Sequence, residues 1–333
     1  METSGNFDST TPFEYDLGSL LCENHDIKYA NYATTVLYSL VSLLSLVGNS
    51  LVLGVLIKFE NLESLTNLFI LNLCLSDLVF SSLLPIWILD LHSDWVLGDL
   101  LCKLFNMGFS ISLYSSIFFL TIMTIHRYLS VVSPISSLRV HTLRCRVLMT
   151  TAVWVASLLS SVGDTIFHQV LSTDCKYSEQ WAHLASVYQH NVFFLLSMAV
   201  ILFCYVQILR TLFRSPSKRR HRTVRLIFAI VTAYFLSWAP YNLIMFLKTL
   251  VKTGIIKSCE VSQRLDLAEL ISRYVAFSHC CINPVLYVFV GIKFRRHLKT
   301  LLRQFLLCQQ QLSSPSPLPQ SPGAFIYEGA SFY

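Results

Sequence analysis

Charge is scarce in this chain. Asp, Glu, Lys and Arg make up 13% of the 333 residues, about half the usage of a soluble domain. With 54% of residues hydrophobic, a water-soluble fold would need a core too large for this length. The first 30 residues lack both a basic start and a continuous apolar run, so no cleavable signal peptide is expected. No Asn-x-Ser/Thr sequon occurs, so N-glycosylation is not expected. A metal-ligand cluster, a nucleophile motif and a glycine-rich phosphate loop are all missing, which leaves an enzyme without support. No internal repeat is visible, which counts against a transporter with paired broken helices.

What the chain has instead is long apolar stretches. Seven of membrane-spanning length lie near 34–57, 67–89, 99–131, 146–165, 188–213, 222–250 and 266–290. Residues 1–32 carry six acids against Lys28, a net charge of −5. Basic residues gather after the third stretch (Arg127, Arg139, Arg144, Arg146), between the fifth and sixth (Lys218 to Arg222), and after the seventh (Lys293 to Arg303). The positive-inside rule puts these on the cytoplasmic face, and seven spans then put the N-terminus outside. In that setting the basic run at 218–222 is a topology signal, and no nucleic-acid partner is expected. Beyond Gly291, Phe294, Leu298, Leu301, Leu302 and Phe305 recur at helical spacing among basic residues, the pattern of a helix lying on membrane lipid. Cys308 at its end is a palmitoylation candidate. The expected layout is an acidic outer segment over 1–32, a membrane domain over 33–291, an amphipathic helix over 292–308 and a Ser/Pro-rich tail over 309–333. The fold class is all-α: a seven-transmembrane helix bundle with a short surface helix after the last span.

Of ten cysteines, Cys22, Cys102, Cys175 and Cys259 fall on the oxidising side. They allow three pairings. Joining Cys102 to Cys175 and Cys22 to Cys259 would staple the outer loops around one opening.

Polar residues and prolines inside the spans are costly in lipid and point to function. Asp77 lies in the middle of the second span. Asn49, Ser116, His279 and Asn283 are placed to converge on it, forming a small polar network with a sodium ion as candidate occupant. Trp238-Ala-Pro240 and Asn283-Pro284-x-x-Tyr287 each put a proline inside a span, where the missing N–H and the ring clash bend the helix. His126-Arg127-Tyr128 closes the third span at its cytoplasmic end.

Taken together, Gly48-Asn49-Ser50, Leu71 to Asp77, Arg127-Tyr128, Trp238-x-Pro240 and Asn283-Pro-x-x-Tyr287 resemble the rhodopsin-like G-protein-coupled receptors. The stretches His126-Arg-Tyr-Leu-Ser-Val-Val and Phe277-Ser-His-Cys-Cys-Ile-Asn-Pro, and the four outer cysteines, resemble the chemokine receptors. Within that family the whole chain resembles the branch that binds lymphotactin, with which it shares His126 in place of the usual Asp. The resemblance implies that Arg127 engages an inhibitory heterotrimeric G protein, with Tyr128 beside it. Trp238 would sit beneath the ligand, and Tyr205 and Tyr287 would join the active-state network. It also implies receptor kinases and arrestin as partners of the tail, where Ser313, Ser314, Ser316, Ser321 and Ser331 are the candidate sites. The departures are His126 for the usual acid, Ser197 for the fifth-span proline, Leu83 for the Thr before Pro85, and Arg273 for a common seventh-span acid. Asp90, Asp164, Asp266 and Glu269 are the remaining candidates for an amine anchor.

A small-amine ligand would want an acid near Asn106-Met107-Gly108-Phe109, and retinal a lysine in Tyr274-Val-Ala-Phe277; neither is present. A basic protein ligand fits the acidic outer segment, where Tyr15 between Glu14 and Asp16 is a sulfation candidate. The ligand's N-terminus would enter a cavity near Trp87, Phe109, Tyr114, Tyr241, Glu269 and Arg273. The alternatives are a non-signalling scavenger of the same fold, supported by His126, and a transporter or channel, which would leave the basic loops and Ser-rich tail unexplained.

Overall fold

The computed structural model describes residues 27–132, 142–172, 174–214, 218–256, 258–290, 294–301 and 303–304. Helices α1 (Ile27–Phe59), α2 (Leu65–His92), α3 (Gly98–Val132) and α4 (Leu143–Phe167) come first. A hairpin of β1 (His168–Leu171) and β2 (Asp174–Tyr177) follows, then α5 (Gln180–Arg214), α6 (Lys218–Lys252), α7 (Cys259–Phe277) and α8 (His279–Val290). Among the described residues, six helices are long and apolar enough to cross a membrane. The seventh crossing is divided between α7 and α8 at Ser278.

Three expectations need correction. The seventh stretch is not one continuous helix over 266–290. It starts earlier, where the Ser258 hydroxyl accepts the Val261 N–H and caps α7, and it breaks where Ser278 turns its N–H to the Tyr274 and Ala276 carbonyls. Residues 27–32, assigned to the outer segment, already belong to α1. The fifth helix begins at Gln180 and not near 188. Hydropathy marks only the lipid-buried part of a helix, and these ends carry polar residues that run on beyond it.

Backbone polar groups have no water to fall back on in lipid, and two prolines test that rule. Pro85 in α2 lacks the N–H that would bond the carbonyl one turn back, at Ser81. That oxygen accepts instead from the Ser42 hydroxyl of α1 at 2.8 Å. Pro284 in α8 frees the Cys280 carbonyl in the same way. It accepts from Asn49 Nδ2 at 2.9 Å, with Ser45 Oγ at 3.4 Å. Ser42, Ser45 and Asn49 are all buried, and their spacing of three and four residues puts them on one face of α1. Contact here is close: a Cβ on Gly48 would stand 2.9 Å from the Pro284 ring, so only glycine fits without a shift.

Further polar pairs fix the neighbouring helices. Trp154 Nε1 donates to Asn72 Oδ1 at 2.9 Å, joining α4 to α2. Ser76 and Ser115 hydroxyls meet at 2.7 Å between α2 and α3. The helical residues at 294–301 dock on the end of α1, where His297 stacks on Phe59 and Lys58 donates to Gln304 at 2.6 Å.

Asn49→Leu will leave the Cys280 carbonyl with only the long Ser45 contact and lower stability by about 1–3 kcal/mol. Thermal unfolding of the detergent-solubilised chain checks this; an unchanged melting temperature would show that Asn49 does not carry the joint.

Candidate functional site

The helix bundle opens at the hairpin end into a cavity of about 340 Å³. All six expected cavity residues, Trp87, Phe109, Tyr114, Tyr241, Glu269 and Arg273, line it. One wall is aromatic. Trp87 meets Phe109 and Phe277 edge-on, with ring centroids 5.1 and 5.5 Å apart. The floor is Trp238, which is 1% exposed and packs against Phe277, His279, His190 and Tyr241. Pro240 lies inside α6, two residues beyond Trp238.

The hairpin forms the rim. Ser172 has a φ of 57° in its tight turn, a left-handed conformation that side chains other than glycine seldom adopt. Cys175 on β2 is disulfide-bonded to Cys102 at the start of α3, one of the two pairings weighed from the sequence. Below it lies Asp164, which the sequence alone offers only as an amine-anchor candidate. The buried Asp164 carboxylate of α4 accepts from Ser110 of α3 and Tyr177 of β2 at 2.5 Å each, and from Ser186 of α5 at 2.7 Å. The Asp164 backbone carbonyl also accepts from His168 Nδ1 at 2.7 Å. Burial lowers the pKa of His168, and burial beside the Asp164 carboxylate raises that of Tyr177, so Tyr177 stays a donor. One carboxylate thus ties the hairpin to three helices. An acid in an apolar span was the only signal of it in the sequence.

Two of the candidate amine anchors are also committed elsewhere. Glu269 is bridged by Lys248 of α6 and by Arg273. Lys248 also reaches Asp266 at 2.6 Å. The Arg273 guanidinium lies 5.9 Å from the Trp87 ring centre, near enough for a cation–π contact. Of the four amine-anchor candidates, Asp164, Asp266 and Glu269 therefore already hold donors among the described residues.

Deeper in the bundle, Asp77 is fully buried. Its Oδ2 accepts from Asn283 Nδ2 at 2.7 Å, and its Oδ1 lies 3.7 Å from His279 Nε2. His279 Nδ1 contacts the Ala276 carbonyl at 2.7 Å. A carbonyl only accepts, so Nδ1 carries the proton and a neutral ring turns its Nε2 lone pair toward Asp77. Oδ1 has no hydrogen-bond donor among the described residues. The expected convergence is only partial, because Asn49 turns to Cys280 and Ser116 turns its hydroxyl to the Ser112 carbonyl at 2.9 Å. The buried side-chain oxygens here without a donor among the described residues, Asp77 Oδ1 and Asn49 Oδ1, are the ones a sodium ion would take.

At the far end, Arg127 donates to Thr66 Oγ1 at 2.5 Å, across to α2. His126 is buried edge-on to Phe69, and Tyr128 packs near Phe203. Tyr205 and Tyr287 are both buried, against Phe228 and Phe294. Tyr15, Cys22, Cys308 and the tail lie outside the described residues, as does the side chain of Cys259, and with it the 22–259 pairing.

The sequence signature of the 7 transmembrane receptor (rhodopsin family) matches residues 48–287. The chain is 72% identical over 333 residues to Chemokine XC receptor 1 of Homo sapiens, covering 100% of both. It is 68% identical over 327 residues to Chemokine XC receptor 1 of Mus musculus, covering 98% of this chain and 99% of that one. It is also 37% identical over 306 residues to G-protein coupled receptor E1 of Equine herpesvirus 2, covering 88% and 79%. The chain belongs to the rhodopsin family of seven-transmembrane receptors, in its chemokine-receptor branch. It is a multi-pass membrane receptor and not an enzyme.

Asp164→Ala will strand three hydroxyl donors and lower stability by about 3 kcal/mol, with Asp164→Asn recovering part of it. Melting of the solubilised receptor measures both; equal melting of all three proteins would mean the hub does not hold the hairpin.

Proposed function

We propose that this chain is a plasma-membrane receptor for lymphotactin, with its N-terminus outside and its C-terminus in the cytoplasm, signalling through an inhibitory G protein. The observation that carries this reading is the full-length likeness to the two Chemokine XC receptors. The acidic segment over 1–32, with Tyr15 at its centre, draws the basic ligand in over about a Debye length. The ligand's flexible N-terminus then enters the cavity bounded by Trp87, Phe109, Tyr114, Tyr241, Glu269 and Arg273. A free carboxylate is not what meets it on α7. It meets a Lys248–Glu269–Arg273 chain that a charged ligand must either displace or avoid.

Binding is converted to a signal only by differential affinity for two receptor states. The bends at Pro240 and Pro284 are the hinges that let the inner ends of α6 and α8 change place. Arg127 and Tyr128 lie at the inner end that G protein would meet, while Tyr205, Tyr287 and Asn283 are buried behind it and would act by repacking. With His126 where relatives carry an acid, Arg127 rests on Thr66, a hydrogen bond with no opposing charge among the described residues. Kinases and arrestin act on the serines of the tail, and lipid holds the helix near 294–301.

Asp77 and Asn49 are the residues that would hold sodium. When bound, the ion would neutralise the Asp77 carboxylate in the resting packing. Asp77→Asn is expected to remove any dependence of lymphotactin affinity on sodium, measured by replacing sodium with choline at constant ionic strength. A sodium effect of unchanged size in that variant would rule the site out.

The signalling reading is tested by cyclic AMP inhibition in cells given lymphotactin, beside Arg127→Ala. A dose-dependent drop that vanishes in Arg127→Ala is the expected result. Uptake of lymphotactin without any drop would instead favour a scavenger, and neither binding nor a drop would refute the ligand. Neutralising Glu14, Tyr15 and Asp16 together should weaken binding several-fold; unchanged affinity at physiological salt would remove the steering claim.

A further inference from the structure

Three side chains that line the cavity carry polar atoms without hydrogen-bond partners among the described residues. These atoms are Trp238 Nε1, Asn242 Oδ1 and both ring nitrogens of His190. Trp238 and Asn242 are 1% and 4% exposed, and all three residues line the cavity. Asn242 follows Trp238 by one helical turn, so both face the same way from α6. The Asn242 amide is fixed, since its Nδ2 donates to the Trp238 carbonyl at 3.0 Å. That contact leaves Oδ1 as an acceptor and assigns the amide its orientation. The His190 ring approaches from α5, 5.8 Å from the Trp238 ring.

Resting on the reading of this cavity as the ligand's entry, we propose that its floor is a subsite for an uncharged hydrogen-bonding group, a hydroxyl or carboxamide, on the inserted tip of the ligand. Such a group both donates and accepts. It would donate to Asn242 Oδ1 or accept from the Trp238 N–H, with His190 as a further partner. An apolar tip would leave the same atoms unpaired and forgo those hydrogen bonds. A charged tip would need an opposite charge at the floor. The nearby charges do not supply one: Asp164 accepts from three hydroxyls, and the cations Lys248 and Arg273 are both bridged to Glu269. Asp90 stands by Asp174 of the hairpin, at the rim.

The test uses the full-length receptor in cells and lymphotactins in which each of the first three residues in turn is Ser, Val, Lys or Asp. At one of these positions Ser should exceed Val in cyclic AMP potency by about tenfold, and exceed Lys and Asp as well. In Asn242→Asp the preference should move to Lys, and in His190→Phe the gap between Ser and Val should narrow. Surface expression and binding of unaltered lymphotactin report folding of each variant, and His190→Phe carries the test if Asn242→Asp fails to reach the surface. Equal potency of Ser and Val at all three positions, or the same rank order in both variants, overturns the subsite while the receptor reading stands. Silence of unaltered lymphotactin on the unaltered receptor overturns the reading and the subsite together.

Discussion

The structure depends on the rule that a backbone carbonyl in lipid must find a donor. Prolines in α2 and α8 each break the helical ladder, and each broken carbonyl is taken by a side chain from α1. The first helix therefore does more than cross the membrane. It supplies a strip of donors at residues 42, 45 and 49 that permits its neighbours to bend. Gly48 lets the backbones come near enough for the Asn49 amide to reach. Trp87 lies two residues beyond Pro85 and Asn283 just before Pro284, so the same two prolines stand beside a cavity wall above and the polar network below.

The cavity shows a second constraint, that buried charge is tolerated only when paired. Asp164 is held by three hydroxyls, and Glu269 by Lys248 and Arg273. These pairings convert acids that look free in the sequence into structural joints. The α6–α7 wall keeps a cationic excess through Lys248, Lys252 and Arg273, while the opposite side has Asp90. On the proposed reading, recognition in the cavity rests on aromatic area and neutral hydrogen bonds at its floor, and the strong negative field lies in the outer segment.

Much of this was legible in the chain. Hydropathy located every crossing, and the intramembrane markers Asn49, Asp77, Trp238, Pro240, Asn283 and Pro284 all fall inside helices of the bundle. What could not be read was partnership. The sequence put Asn49 near Asp77, yet its amide serves a carbonyl that Pro284 has freed. Ser116 pairs with its own helix, because a serine in a helix can always reach back one turn. The break at Ser278 was hidden because apolar composition continues across it. The hairpin and the Asp164 hub were missed because four-residue strands carry little periodicity and because the hub's donors come from three distant segments.

Trp238 and Asp77 are linked through one side chain. His279 packs on the Trp238 ring at 5.2 Å and turns Nε2 toward Asp77. Physical contact of this kind does not by itself prove coupling. It does fix what coupling would require: two packings of His279 whose relative energies differ when the floor is occupied. The neighbouring groups suit that demand. Tyr234 and Phe80 clamp the same ring edge-on, so it cannot drift continuously and must exchange between discrete positions. A ligand reaching Trp238 would then alter the surroundings of Asp77 by as much as it favours one His279 position over the other, and by no more.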